Sequence, residues 1–107
     1  MLERADTEVV IWGGETTVKL PENPVDGGRN QQLALSAAIA LSGKQNMWLL
    51  SIATDGVDGT TQEAGALVDE RSMQRGELYG VSADYCLQKA NSNLFLDESG
   101  DLIYTGE

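Results

Sequence analysis

The sequence Gly-Gly-Arg-Asn-Gln at residues 27–31 has the composition of an anion-binding site. It precedes an apolar run that predicts a helix, so it would lie at a helix N-terminus, where backbone N–H groups and a partial positive charge attract anions. Arg29 adds a planar cation suited to carboxylate or phosphate, and Asn30 and Gln31 can orient hydroxyl groups. The alternative is a surface arginine beside an ordinary helix cap. The candidate binding residues are Gly28, Arg29, Asn30 and Gln31.

A second polar segment, Thr-Asp-Gly-Val-Asp-Gly at residues 54–59, directly follows an apolar run that predicts a strand. Loops that leave the carboxyl ends of strands are where open α/β sheets bind ligands. Asp55 and Asp58, two carboxylates three residues apart, could hold Mg²⁺ or accept a substrate proton. Their spacing does not fit an EF-hand loop. The alternative is an Asx-type turn in which Asp58 assists a helix cap.

The third segment is Gly13-Gly14-Glu15, followed by two threonines. Paired glycines allow backbone N–H groups to turn outward or another chain to approach closely, which would suit substrate binding. The alternative is a simple hairpin turn. If all three segments serve one site, they should converge on one edge of the fold.

Composition excludes several other functions. The 107 residues include no histidine and one cysteine, which removes Ser-His-Asp and Cys-His triads and most zinc or iron sites. The sequence contains neither a P-loop nor a Gly-x-Gly-x-x-Gly fingerprint. A net charge of −10 opposes binding to nucleic acid and anionic lipid, so neither nucleic acid nor membrane is expected as a partner. The single cysteine and the charged N-terminus favour a cytoplasmic protein.

The elements that must position these segments begin with a polar leader or linker at residues 1–7. Residues 8–20 predict two strands around a tight turn, residues 21–28 predict a loop, and residues 29–41 predict a buried helix that Gly43 ends. The continuous apolar run of residues 47–54 predicts a central strand buried on both faces. Trp12 and Trp48 are therefore expected in the core.

The second half of the chain predicts mostly helix. Thr60 and Glu63 form a capping-box pattern that predicts a helix to about residue 69. Residues 70–90 predict one or two short helices with a break near Gly80, and Ser82 is a candidate cap for the second. Arg71 and Arg75 should be exposed and Cys86 buried. Residues 102–104 predict a last strand after a turn at residues 99–101. The fold is therefore predicted to be α/β, a single small domain of residues 8–107 with a mixed sheet and helices packed on it. The lack of an element after residue 107 suggests truncation.

The three polar segments, in this order and spacing, resemble the MOFRL domain, the C-terminal part of a family of glycerate 2-kinases often labelled hydroxypyruvate reductases. The resemblance is carried by residues 13–18, 27–31 and 54–59, with Ala64-Gly65-Ala66, Asp69 and, near the end, residues 100–102 and 105–106. The sequence departs from the family at Thr60, where proline is usual, and over residues 90–96. These departures affect the C-terminal part of a site more than Arg29 or Asp55.

The resemblance implies an α/β fold and ATP-dependent phosphorylation of D-glycerate with Mg²⁺. It also implies a site between this domain and a larger N-terminal Rossmann-like domain, so this chain alone should be inactive. On this interpretation Arg29 and Asp55 are catalytic, and Asp55 or Asp58 holds the metal. The substrate would contact Gly13, Gly14, Glu15, Gly28, Asn30, Gln31, Thr54 and Asp58. The alternatives are hydroxypyruvate reduction, for which no nicotinamide site is visible, and a free-standing, non-catalytic ligand-binding or regulatory module.

Overall fold

A computed structural model describes residues 8–14 and 27–106, which form four helices around a three-stranded sheet. The strand order is β1-β2-β3, and both pairs are antiparallel. This confirms the α/β class with helices packed on a sheet, but the described ranges contain no parallel pair of the kind that a mixed sheet requires. The elements are α1 (Arg29–Leu41), β1 (Trp48–Ile52), β2 (Gly65–Asp69), α2 (Ser72–Glu77), α3 (Ala83–Gln88), α4 (Ser92–Ser99) and β3 (Leu102–Ile103).

Helix α1 lies across the sheet and fixes the position of the candidate site at its N-terminus. Ala34 and Ala38 of α1 pack on Ala66 and Val68 of β2, and all four side chains are fully buried together with Leu96 of α4. Small side chains on both elements allow the helix and the sheet to approach closely. A second cluster joins the other side of α1 to the helical half of the chain and consists of Leu35, Ala83, Cys86 and Phe95.

The helix predicted from Thr60 to residue 69 is wrong, because residues 65–69 form strand β2. Ala66 and Val68 are buried and Leu67 is exposed, which is the two-residue period of a strand. Gly65 lies so close to the Ser51 carbonyl of β1 that a Cβ atom there would overlap it. Pairing with β1 therefore outweighs the local capping pattern, and the Glu63 carbonyl instead accepts the Asp58 N–H at 2.9 Å.

The prediction that the strand at residues 47–54 is buried on both faces is also wrong for the described part of the chain. One face of β1 contacts α1, whereas Trp48, Leu50 and Ile52 on the other face are 61%, 55% and 41% exposed. Residues 8–14 contain no strand, and Trp12 is exposed, so neither tryptophan lies in the core. Residues 15–20 of the predicted hairpin lie outside the described ranges.

The helical half follows the sequence more closely. Gly80, with φ of 75°, separates α2 from α3, and the Ser82 hydroxyl accepts the Tyr85 N–H at 3.2 Å and so caps α3 as predicted. The turn at Gly100 and the short last strand also agree with prediction. Helix α4 gave only a weak signal in the sequence, although its Phe95 and Leu96 are fully buried. In the part of the chain that the structure describes, no helix is long and apolar enough to cross a membrane.

Arg75 is not the simple exposed cation that the sequence suggested, because it connects three segments of the helical half. Its guanidinium forms ion pairs with Asp101 at 2.6 Å and Asp69 at 3.2 Å, and it donates to the Ser99 carbonyl at 3.1 Å. Burial alone lowers the pKa of Arg75, but the hydrogen bonds and charges of Asp101 and Asp69 outweigh it and raise the pKa above its usual value. Arg71, in contrast, is exposed.

We expect Arg75→Met to lower the free energy of unfolding by about 1–3 kcal/mol, since it leaves the buried carboxylate of Asp101 without its charged donor. Urea denaturation followed by circular dichroism measures this loss. Arg71→Met is the matched control, and it should change the free energy by less than about 0.5 kcal/mol. Equal stability of the two variants would show that the Arg75 network does not support the fold.

The Cys86 thiol is buried against α4, as predicted from its position on an apolar helix face. Burial raises its pKa, and a backbone hydrogen bond with Phe95 opposes this only in part. Because the pKa of Cys86 is higher in the folded state than in the unfolded state, the protonated thiol contributes to stability. This contribution is complete below about pH 8.5, the usual thiol value, and is lost as pH rises through the folded pKa.

As pH rises from about 8 to 10, we therefore expect the free energy of unfolding to fall less for Cys86→Ala than for the unsubstituted protein. Urea denaturation of both proteins across this range measures the difference. A parallel decline in the two proteins would contradict the prediction.

Candidate functional site

The N-terminus of α1 is occupied by a carboxylate from a distant loop. The Asp58 Oδ1 atom accepts the Asn30 N–H at 3.0 Å, and Oδ2 accepts the Gln31 N–H at 2.7 Å. Asp58 is only 3% exposed, and no side chain from the helix itself supplies a cap. The sequence predicted free N–H groups here for a substrate anion. The structure corrects this prediction, because Asp58 fills that position for Asn30 and Gln31.

Glycines in both segments allow the α1 N-terminus and the residue 54–59 loop to touch. A Cβ atom on Gly28 would overlap the Asp58 side chain, and one on Gly59 would overlap the Gly27 carbonyl. The Gly27 carbonyl also accepts the Thr60 N–H at 3.2 Å. The first and second polar segments, residues 27–31 and 54–59, therefore form one continuous surface, as the shared-site hypothesis predicted.

The polar side chains of Asn30 and Gln31 form hydrogen bonds with other residues of the protein. Asn30 donates from Nδ2 to Asp58 Oδ1 at 3.2 Å, and its Oδ1 accepts the Ser51 hydroxyl at 2.8 Å. Fully buried Gln31 donates from Nε2 to the Thr61 hydroxyl at 2.7 Å, and its Oε1 accepts the Asn93 amide at 2.9 Å. Both side chains orient hydroxyl groups, as the sequence suggested, but these hydroxyls belong to the protein.

Asp55 lies at the open end of the same loop. It is exposed, and its Oδ1 accepts the Val57 N–H at 3.1 Å in an Asx turn. Neighbouring Gly56 is buried against the C-terminal segment, since a Cβ atom there would overlap the Gly106 carbonyl. Thr54 is also exposed. The loop thus has one buried carboxylate turned towards α1 and one solvent-facing carboxylate that ligands can reach.

Arg29 is the first residue of α1 and is exposed. It lies between Gly28 and Asn30, which both contact Asp58, and Asp55 is three residues from Asp58 along the chain. Three residues span at most about 10 Å. A cation and an accessible carboxylate therefore lie on the same edge of the fold.

The third polar segment is not joined to this edge by the described contacts. Gly13 and Gly14 are exposed, and a Cβ atom on either would meet no atom within 4 Å among the residues that the structure describes. Glu15 lies outside the described ranges. The expected convergence therefore holds for two of the three segments, and the placement of residues 13–15 in the site stays a prediction.

Several residues that build this edge were missed in the sequence. Ser51, Thr61 and Asn93 come from β1, the following loop and α4, and each bonds to Asn30 or Gln31. Asn93 also donates to the Glu63 carboxylate at 3.4 Å. Only Asn93 gave any signal, as a polar residue in an irregular segment, because contacts between residues 21 to 62 positions apart leave no local pattern. Within residues 8–14 and 27–106, no group of three or more metal-binding side chains occurs.

Comparison with known proteins identifies the class to which this small α/β domain belongs. The crystal structure of glycerate kinase from Thermotoga maritima superposes with a TM-score of 0.83 and 45% identity, covering 88% of this chain and 22% of that one. The D-glycerate 2-kinase of Thermotoga maritima is 44% identical over 97 residues, 91% of this chain and 23% of that protein. A putative hydroxypyruvate reductase of Agrobacterium vitis is 38% identical over 99 residues, 92% of this chain and 26% of that protein.

The MOFRL family matches residues 8–107, and the chain belongs to that family. The resemblance found in the three glycine-containing segments is thereby confirmed. The chain spans about a quarter of the length of these curated relatives.

Proposed function

We propose that this chain is the C-terminal domain of a glycerate 2-kinase, which transfers phosphate from ATP to D-glycerate. The observation that carries the proposal is the joined edge at which Asp58 fixes the start of α1, with Arg29 and Asp55 exposed beside it. Relatives named glycerate 2-kinase share this region at 44% and 36% identity, which supports the same assignment.

The reaction joins the C2 hydroxyl oxygen of glycerate to the γ-phosphorus of ATP and breaks the bond between that phosphorus and the bridging oxygen of ADP. The proton of the attacking hydroxyl must pass to an acceptor, and in the described part of the chain Asp55 offers an exposed carboxylate on this edge. Arg29 stabilises the negative charge on the transferring phosphoryl oxygens or holds the glycerate carboxylate. Thr54, Gly28 and the residues 13–15 complete the proposed substrate contacts.

Alternatively, Asp55 would hold magnesium instead of accepting the proton, with nucleotide phosphates and water as the other ligands, since Mg²⁺ in kinases commonly uses only one or two protein carboxylates. When bound it would neutralise charge on the phosphates. An exposed carboxylate with one internal hydrogen bond fits this role. Asp58 fits it poorly, because both of its oxygens already accept N–H donors.

The nucleotide, by this proposal, binds mainly to a larger Rossmann-like domain that precedes this one in the same protein and completes the site. The relatives named as kinases are about four times as long as the matched region, which supports a second domain. We place the protein in the cytoplasm, where its single buried thiol would stay reduced.

An ADP-release assay with ATP, Mg²⁺ and D-glycerate tests the proposal. The full-length gene product should turn over D-glycerate well above its glycerate-free rate, and the 107-residue chain alone should remain at background. Oxidation of NADH or NADPH by hydroxypyruvate, in the absence of ATP, would instead favour the reductase named among the relatives. Absence of both activities would favour a non-catalytic binding module.

A further inference from the structure

We propose that Asp58 is a positioning residue that acts through Arg29, and that it neither holds metal nor touches substrate. The inference rests on the proposed function, because Arg29 is the residue whose placement matters. Asp58 is buried, and its two carboxylate oxygens accept the successive N–H groups of Asn30 and Gln31. The carboxylate thus serves as a built-in anion at the start of α1.

The contacts around Asp58 leave it little freedom to take another role. Gly28 packs against the side chain so closely that no Cβ atom would fit, and Asn30 Nδ2 adds a third donor at 3.2 Å. Because Asp58 is only 3% exposed, a metal ion from solvent could reach its carboxylate only if the carboxylate turned away from some of its three N–H donors, two of them on the backbone. Buried N–H groups without an acceptor are unfavourable.

Arg29 is the residue most affected by this arrangement. It lies between Gly28 and Asn30, so the same carboxylate fixes the backbone on both sides of it. The partial charge of the helix start at Asn30 and Gln31 is already matched by Asp58, so on this edge the Arg29 guanidinium, and not the helix start, is placed to bind a substrate anion. Loss of Asp58 should therefore displace Arg29 and leave an anion-sized space at the helix start.

Chemical rescue in the full-length gene product tests this role. Asp58→Ala removes the carboxylate, and we expect kcat/KM for D-glycerate to fall at least about 10-fold. Formate, a carboxylate without a side chain, should fill the space, raise the melting temperature of Asp58→Ala and restore part of kcat. It should restore nothing in Arg29→Ala, where the cation itself is missing. Sodium chloride at equal ionic strength is the control for general salt effects.

Three results would overturn the proposal. The first is an Asp58→Asn enzyme with unchanged kcat and KM. The second is a half-saturating Mg²⁺ concentration that rises about 10-fold in Asp58→Asn while the KM for glycerate stays unchanged. The third is a folded Asp58→Ala whose melting temperature does not respond to formate. If Asp58→Ala does not fold, the Asp58→Asn constants and Mg²⁺ dependence decide. Failure of the proposed function would give a different result. The unsubstituted protein would then show no glycerate phosphorylation, even though formate stabilised Asp58→Ala.

Discussion

Arg29→Ala in the full-length gene product should lower kcat/KM for D-glycerate by roughly 100-fold or more. Arg29 is held at the first residue of α1, beside the loop that carries Asp55, and its guanidinium is suited to bind phosphate or carboxylate oxygens. If it stabilises the transferring phosphoryl group, kcat should fall with kcat/KM. If it only binds the glycerate carboxylate, KM should rise with kcat little changed.

Arg71→Ala is the matched control for this experiment. Arg71 is also an exposed arginine near the start of a helix, but its backbone N–H bonds to Asp69, and the substitution leaves that bond in place. It should retain near-normal constants. Arg75 is unsuitable as a control, because its ion pairs with Asp69 and Asp101 support the fold. If Arg29→Ala were as active as Arg71→Ala, Arg29 would be only a surface residue beside a helix cap.

Gly28→Ala should lower the free energy of unfolding by about 2–4 kcal/mol and reduce activity as well. The backbone of Gly28 is extended, with φ of −160°, so alanine could adopt it, but its Cβ atom would overlap the Asp58 carboxylate. The carboxylate would have to withdraw from the Asn30 and Gln31 N–H groups, which would leave two donors at the helix start without their acceptor. Urea denaturation and steady-state kinetics on the same preparation measure both effects.

Gly13→Ala provides the stability control for this prediction. Gly13 is exposed, and an added Cβ atom would meet nothing within 4 Å among the described residues. Its free energy of unfolding should change by less than about 0.5 kcal/mol. If Gly28→Ala were as stable as Gly13→Ala, the close contact between α1 and the residue 54–59 loop would be wrong.

The parts of the fold that could be predicted are those with a strong local signal. Helix α1 begins and ends where its apolar run and Gly43 indicate, and Ser82 caps α3 as its position suggests. Strand β2 could not be predicted, because Thr60 and Glu63 imitate a capping box while the pairing of Gly65 with Ile52 depends on a partner 13 residues away. Trp48 was placed in the core because an apolar run does not reveal which of its faces is covered.

For the candidate site, the sequence indicated two of the segments that meet at one edge of the fold, but not the contacts between them. Residue types at a helix start and a strand end indicated Arg29 and Asp55 without any knowledge of how the two segments meet. The different surroundings of Asp55 and Asp58 could not be distinguished, because each aspartate is followed by glycine. Only the fold turns Asp58 towards Asn30 and leaves Asp55 in solvent.

The product formed by the full-length gene product from ATP and D-glycerate tests the central claim most directly. Phosphorus NMR of the reaction mixture, with hydrogen–phosphorus coupling to locate the ester, distinguishes phosphate on the C2 oxygen from phosphate on the C3 oxygen. Our account predicts 2-phosphoglycerate and ADP in equal amounts, with the signal greatly reduced for Arg29→Ala and retained for Arg71→Ala. Phosphate on the C3 oxygen, or a reaction mixture without any phosphoglycerate, from folded protein supplied with Mg²⁺, would contradict it.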